Sequence, residues 1–120
     1  MDKQTTQALG NIVAIDHYVK DPEQIAKDAH EIALQSGGRV VLGEIGAPIP
    51  DINGNLNQEE QAKWIEQALA GAKETPEIIG INYWVNVGGS TRLWGDDGTP
   101  RKAVDTIKKY FTDTKLIQPR

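Results

Sequence analysis

The sequence predicts an α/β fold of three parallel β/α units, and three observations carry that expectation. Short runs rich in Val and Ile alternate with longer stretches whose apolar residues recur at helical spacing. The short runs return at intervals of roughly 30 to 40 residues, room for one strand, its crossover helix and the loops between them. Each run also ends in polar or aromatic residues, as strands do when they point a site at solvent.

The first unit opens with residues 11–19, Val/Ile-rich over their first half, which read as a strand covered on both faces and closing on Asp16, His17 and Tyr18. Asp21 and Pro22 supply a helix N-cap and a proline at the first helical position. Ile25, Ala26, Ala29, Ile32 and Ala33 then keep helical spacing until Gly37 and Gly38 stop the helix. In the second unit residues 39–44 form a short apolar strand ending in Glu44, and a loop rich in Gly, Pro and Asn runs on through Asn57. Asn57 with Glu60 makes a capping-box start, and Ala62, Ile65, Ala68, Leu69 and Ala72 mark a buried stripe up to the turn at Thr75-Pro76. The third unit has a strand over 78–85, a Gly-rich loop over 86–99, and a helix opened by Thr99-Pro100 that carries Ala103, Val104, Ile107 and Phe111. After Thr112 the tail is expected to fray.

At 120 residues, 38% hydrophobic and 25% charged, the chain has the composition of a single domain spanning 1–120. Its net charge of −4, without clustered Lys and Arg, argues against a nucleic-acid partner; a neutral ligand fits better. With no cysteine there is no disulfide framework and no thiolate metal site. Met1-Asp2-Lys3-Gln4-Thr5-Thr6 reads as neither a signal peptide nor an anchor, and no run approaches the roughly 18 apolar residues of a membrane span, so no membrane partner is expected.

Two architectures suit such units. An open sheet would ordinarily carry a phosphate-binding glycine loop straight after a strand, and the glycines here form neither G-x-G-x-x-G nor a Walker pattern. A (β/α)₈ barrel runs to about 250 residues. Three units are less than half of one, and would leave both outer strands with unpaired edges. The expectation is a partial TIM barrel, completed either as a homo-oligomer or by an N-terminal barrel segment outside this sequence.

In a barrel the chemistry sits at the C-terminal ends of the strands. Strict alternation along the second strand would put Glu44, Leu42 and Val40 inward, with Gly43 and Ile45 toward the helices. It groups Asn82, Trp84 and Asn86 on the third strand, and on the first either Asp16 with Tyr18 or Ile15 with His17. The first pairing is favoured because the phenol could then hydrogen-bond the neighbouring carboxylate. Glycosyl transfer needs a carboxylate that stays ionised, which hydrogen bonds from Tyr18 and Asn82 would promote. Trp84, with Trp94 or Tyr83, would offer a flat face for a sugar ring. No cofactor and no metal is called for.

The run Val40-Val41-Leu42-Gly43-Glu44-Ile45-Gly46 resembles the seventh strand of clan A glycoside hydrolases, especially family 5, whose "(T/G)-E-(F/I/W)-G" segment carries the nucleophile. Gly80-Ile81-Asn82-Tyr83-Trp84 resembles the eighth strand, whose tryptophan floors the −1 subsite. Asp97-Gly98-Thr99-Pro100-Arg101-Lys102-Ala103 is similar to the "D-G-x-P-(K/R)-x-A" lead into the last helix, and Asp16-His17-Tyr18 corresponds less closely to a sixth-strand "H-x-Y" or "D-x-Y". The resemblance spans about residues 11–111. It implies a retaining hydrolase of β-linked oligo- or polysaccharides, with catalytic Glu44 and with Asp16, His17, Tyr18, Asn82, Trp84 and Trp94 against a carbohydrate substrate. The family's acid/base Glu, in an Asn-Glu pair ending the fourth strand, has no counterpart here.

Simpler roles compete residue by residue. Glu44 could be a solvated carboxylate opening a loop, Trp84 a core residue, and Trp94 either a core or a ligand residue. Trp64, beside Ile65, reads as packing, His17 as a structural histidine, and His30 as a mid-helix residue with no partner pattern. Asp16 and Glu44, about 5 Å apart across one strand spacing, would lie on the same side of a sugar and so make a poor catalytic pair. Three function classes follow: a glycosidase in the context of a whole barrel, a catalytically incomplete half-barrel that self-assembles or binds carbohydrate without turnover, and an open-sheet protein with an unrelated ligand.

Overall fold

A computed structural model describes residues 2–112. Its elements run α1 (Lys3–Ala8), β1 (Ile12–Asp16), α2 (Glu23–Ser36), β2 (Arg39–Ile45), α3 (Pro50–Asn53), α4 (Gln58–Lys73), β3 (Ile78–Tyr83) and α5 (Lys102–Phe111). The three strands form one parallel sheet in the order β1-β2-β3. The fold class is therefore α/β with parallel units, the arrangement of part of a TIM barrel. The tail beyond Thr112, expected to fray, lies outside the described residues.

Local signals place most boundaries. Asp21 Oδ1 accepts from Glu23 N at 3.0 Å, with Pro22 at the N-cap rather than at the first helical position. Gly37 at φ 70° ends α2, a conformation that suits glycine. At α4 both legs of the capping box form at 2.9 Å: Asn57 Oδ1 accepts from Glu60 N, and Glu60 Oε2 accepts from Asn57 N. The short α1 has no counterpart in the sequence reading, because six polar-rich residues give no periodicity. It is held by Asp2, whose side chain accepts from Thr5 N, and by Thr6, whose methyl group fills the space that a side chain at Gly38 would need. Strand β1 stops at Asp16 rather than Val19, and β3 at Tyr83 rather than Val85; the Trp84–Val85 peptide is cis.

The helix-facing side of the sheet is the core. Val40, Leu42 and Ile45 are fully buried with Ile25 and Ala29 of α2, Trp64, Ile65 and Ala68 of α4, and Ala103 of α5. This corrects the strict alternation: Val40 and Leu42 face the helices, not the far side. The reason is a bulge. Leu42 pairs with Ile81 but Ile45 pairs with Tyr83, so β2 carries one residue more than β3 between the two pairs. Two core residues three positions apart then share one face, and Glu44 is freed to turn to the other. The expected stripe of α5 is also shorter than drawn, for Phe111 is 53% exposed. Trp64 is packed as expected, with its indole N–H donating to Lys20 O at 3.1 Å.

The opposite side of the sheet is open. Ala14 is exposed, Val41, Gly43 and Gly80 are half-buried, and the outer edges of β1 and β3 have no strand partner among the described residues. No described helix is long and apolar enough to cross a membrane.

Candidate active site

The bulge sets Glu44 at the C-terminal end of the central strand, on the open side. It pairs in register with Asp16 of β1, and its backbone carbonyl accepts from His17 N at 2.8 Å. Tyr18 returns across the strand end and donates its phenol to Glu44 Oε2 at 2.8 Å. Burial first, and then the Glu44 carboxylate, hold that phenol far above its ordinary range, so it keeps its proton and stays a donor. On the other flank Asn82 donates its amide to Gly43 O at 3.2 Å, placing its side chain on the Glu44 side without touching the carboxylate itself.

Gly46 explains how the Trp84 backbone comes to lie against the end of β2. Trp84 N donates to Ile45 O at 2.8 Å, and a Cβ at Gly46 would collide with the Trp84 carbonyl oxygen. Only a glycine lets the two strand ends approach so closely. Trp84 is then left 49% exposed at the end of β3, with its backbone against the end of the Glu44 strand. Thr91 fastens the same carbonyl by donating its hydroxyl to Trp84 O.

The remaining expected residues are dispersed. His17 faces α2, where Nε2 lies 2.8 Å from Asp28 Oδ2, and Asp28 is held below its usual range by hydrogen bonds from Gln24 first and His17 second. Asp16 is exposed on the Glu44 side, its carboxylate lying over Gly43. Trp94 is half-buried against the core, with its backbone N–H donating to Asn86 O at 3.0 Å. His30 does have a partner, Glu77 Oε1 at 2.7 Å, supplied by a residue far along the chain. Among the described residues no group of His, Cys, Asp and Glu could hold a metal ion.

Beneath the site lies a polar hub absent from the sequence reading. Gln61 of α4 is fully buried, with its amide nitrogen 2.9 Å from Ala47 O and 3.0 Å from Arg92 O; its amide oxygen accepts from Arg101 Nε at 2.8 Å. Tyr83 joins it, donating to Thr91 O at 2.7 Å. The hub ties the loops after β2 and β3 to each other. A signal was present: Gln61, Ile65, Ala68 and Ala72 keep the spacing of the buried stripe, so Gln61 had to be a buried polar residue.

No protein-family model matches the chain, and no curated protein matches it. Solved structures do. The β-D-glucuronidase of Dictyoglomus thermophilum superposes with a TM-score of 0.69 at 14% identity, over 86% of this chain and 22% of that one. A GH128 (subgroup II) endo-β-1,3-glucanase from Sorangium cellulosum gives 0.67 at 14% identity, over 83% and 41%. A GH2 β-galacturonidase from Eisenbergiella tayi, bound to galacturonate, gives 0.65 at 14% identity, over 84% and 23%. The fold is thus that of a section of glycoside hydrolase structures, and this chain spans less than half the length of each.

Proposed function

We propose that this chain is the nucleophile-bearing section of a retaining glycoside hydrolase barrel, of the clan A, family 5-like type, acting on β-linked saccharides. The observation that carries the reading is the Glu44 carboxylate on the open strand-end face, hydrogen-bonded by a phenol that stays protonated, with an exposed tryptophan at the end of the adjacent strand. In this role Glu44 attacks the anomeric carbon, the bond to the leaving oxygen breaks, and the resulting glycosyl ester is hydrolysed by water. Tyr18 aims the carboxylate through its hydrogen bond to Oε2. Trp84 stacks against the sugar, and Asn82 and Asp16 border the same space. The acid that protonates the leaving group comes from strands outside this chain. The solved neighbours are named for glucuronides, galacturonides and β-1,3-glucan, which supports a carbohydrate partner, neutral or acidic.

Turnover of an aryl β-glycoside by the completed barrel, compared between the native chain and Glu44→Gln, tests the assignment. The carboxamide cannot attack, so a loss of about three orders of magnitude or more is expected; unchanged turnover would refute it.

A second reading keeps the fold without the turnover: a half-barrel that associates through its open edges. It is favoured by the apolar groove of about 400 Å³ at the outer edge of β3, where Ile79 and Phe111 are exposed beside Ile81 and Tyr110. Light scattering decides between an assembled and a solitary chain. A closed dimer or higher oligomer supports self-completion, and a stable monomer refutes it.

A further inference from the structure

A second cavity, of about 240 Å³, opens at the C-terminal end of the sheet between the loops that follow β2 and β3. Its walls are Pro48, Pro50 and Leu56 on one side and Gly89 and Ser90 on the other, with Arg92 and Arg101 both lining it. In a chain of net charge −4, two guanidiniums sharing one small cavity would ordinarily be neutralised by nearby carboxylates. Here neither is: no ion pair among the described residues includes Arg92 or Arg101. The Arg92 side chain has no hydrogen-bond partner there, and Arg101 uses only Nε.

That single bond is the telling one. Arg101 Nε donates to the amide oxygen of Gln61, a fully buried residue whose amide nitrogen is 3.0 Å from the Arg92 carbonyl oxygen. One buried amide therefore fixes the side chain of one arginine and the backbone of the other, leaving the terminal nitrogens of Arg101 and the whole Arg92 fork unused. A planar fork held in place before binding loses little freedom on binding, and it matches the two oxygens of a carboxylate. Apolar walls on one side keep the charges in a medium where an anion is held more strongly than in bulk water.

We propose that this cavity is an anion subsite that takes the carboxylate of an acidic saccharide, a uronic acid unit, at the rim of the Glu44 site. Pro48 is only four residues beyond Glu44, so their Cα atoms are at most about 14 Å apart, a reach of a few sugar units. The saccharide half of the assignment rests on the glycosidase reading; the anion half does not.

The test is binding to the full chain, followed by ¹H–¹⁵N spectra that include the arginine Nε–H signals, with glucuronate, glucose and inorganic phosphate as separate titrants. Glucuronate should shift Arg92, Arg101 and Ser90, glucose should not, and Arg92→Ala should weaken the glucuronate affinity about tenfold or more, as expected for lost charge-assisted bonds. Arg92→Lys, which keeps the charge without the fork, should fall between the two. Equal response to glucose, response to phosphate without glucuronate, or an undiminished affinity in Arg92→Ala would each overturn the proposal. Because the Arg92 side chain makes no hydrogen bond among the described residues, its removal should leave the hub intact, and unchanged signals from Gln61 would verify that. The arginine signals read the subsite and turnover reads the nucleophile, so the two can fail independently.

Discussion

The two faces of the sheet are built on opposite terms. On the helix side Val40, Leu42 and Ile45 are sealed against α2, α4 and α5, with no solvent left between them. On the open side the same strands present Ala14, Val41, Gly43 and Gly80, small or half-covered, and at their ends Asp16, Glu44 and Asn82. One residue of bulge separates the two designs, because it lets Ile45 join the core while Glu44 leaves it. The lesson is that the buried core is carried by one face and the candidate site lies on the other, so each can be perturbed with little effect on its opposite.

The largest expected difference comes from neighbouring residues on the two faces. Leu42→Ala should cost about 3 kcal/mol or more, the range for a buried leucine that leaves a cavity, while Val41→Ala should cost about 1 kcal/mol or less. Urea unfolding of both variants checks this, and equal losses would break the comparison. Gly46→Ala sits at the crossing between the faces. Its methyl group would strike the Trp84 backbone, so a loss of about 1 to 3 kcal/mol is expected together with a changed indole fluorescence, since Trp84 must move. Tyr18→Phe should likewise be mild in stability, about 1 kcal/mol, because it removes one partly exposed hydrogen bond.

Titration of the phenols sharpens the same contrast. All three tyrosines have raised values: Tyr18 by burial and then Glu44, Tyr83 by burial, and Tyr110 pushed up to about 12 by burial and then Glu66. A raised folded-state value means that the native chain holds protons the unfolded chain releases. The stability this contributes is full below the unfolded phenol value of about 10 and is lost as pH climbs through that value toward the folded ones. Ultraviolet titration should therefore show little phenolate in the native chain at pH 10 and about half-ionised tyrosines in urea; coincident curves would contradict it.

Much of the architecture could be read directly because its signals are local. Gly37 and Gly38 stop a helix within their own turn, and Asn57 with Glu60 needs only each other to form a cap. The face of Glu44 could not be read in the same way. Alternation assumes an unbroken pleat, and the bulge between Leu42 and Ile45 is set by pairing with β3, a partner far along the chain. His17 and His30 show the same limit: their carboxylate partners, Asp28 and Glu77, are chosen by helix packing rather than by sequence spacing. Strand-end position points to Glu44, Tyr18, Asn82 and Trp84 alike, and the structure gathers them at one end of the sheet, whereas Trp94 packs toward the core.

The most direct test of the central claim is covalent trapping. An activated 2-deoxy-2-fluoro β-glycoside with a dinitrophenyl leaving group needs no protonation to depart, so it reports on a nucleophile independently of any general acid. Incubated with the assembled protein and analysed by peptide mass spectrometry, it should leave one fluoroglycosyl group on the peptide containing Glu44 and none on Glu44→Gln. A label carried by Asp16 instead, or an unlabelled Glu44 in an assembly that releases dinitrophenolate, would contradict the account.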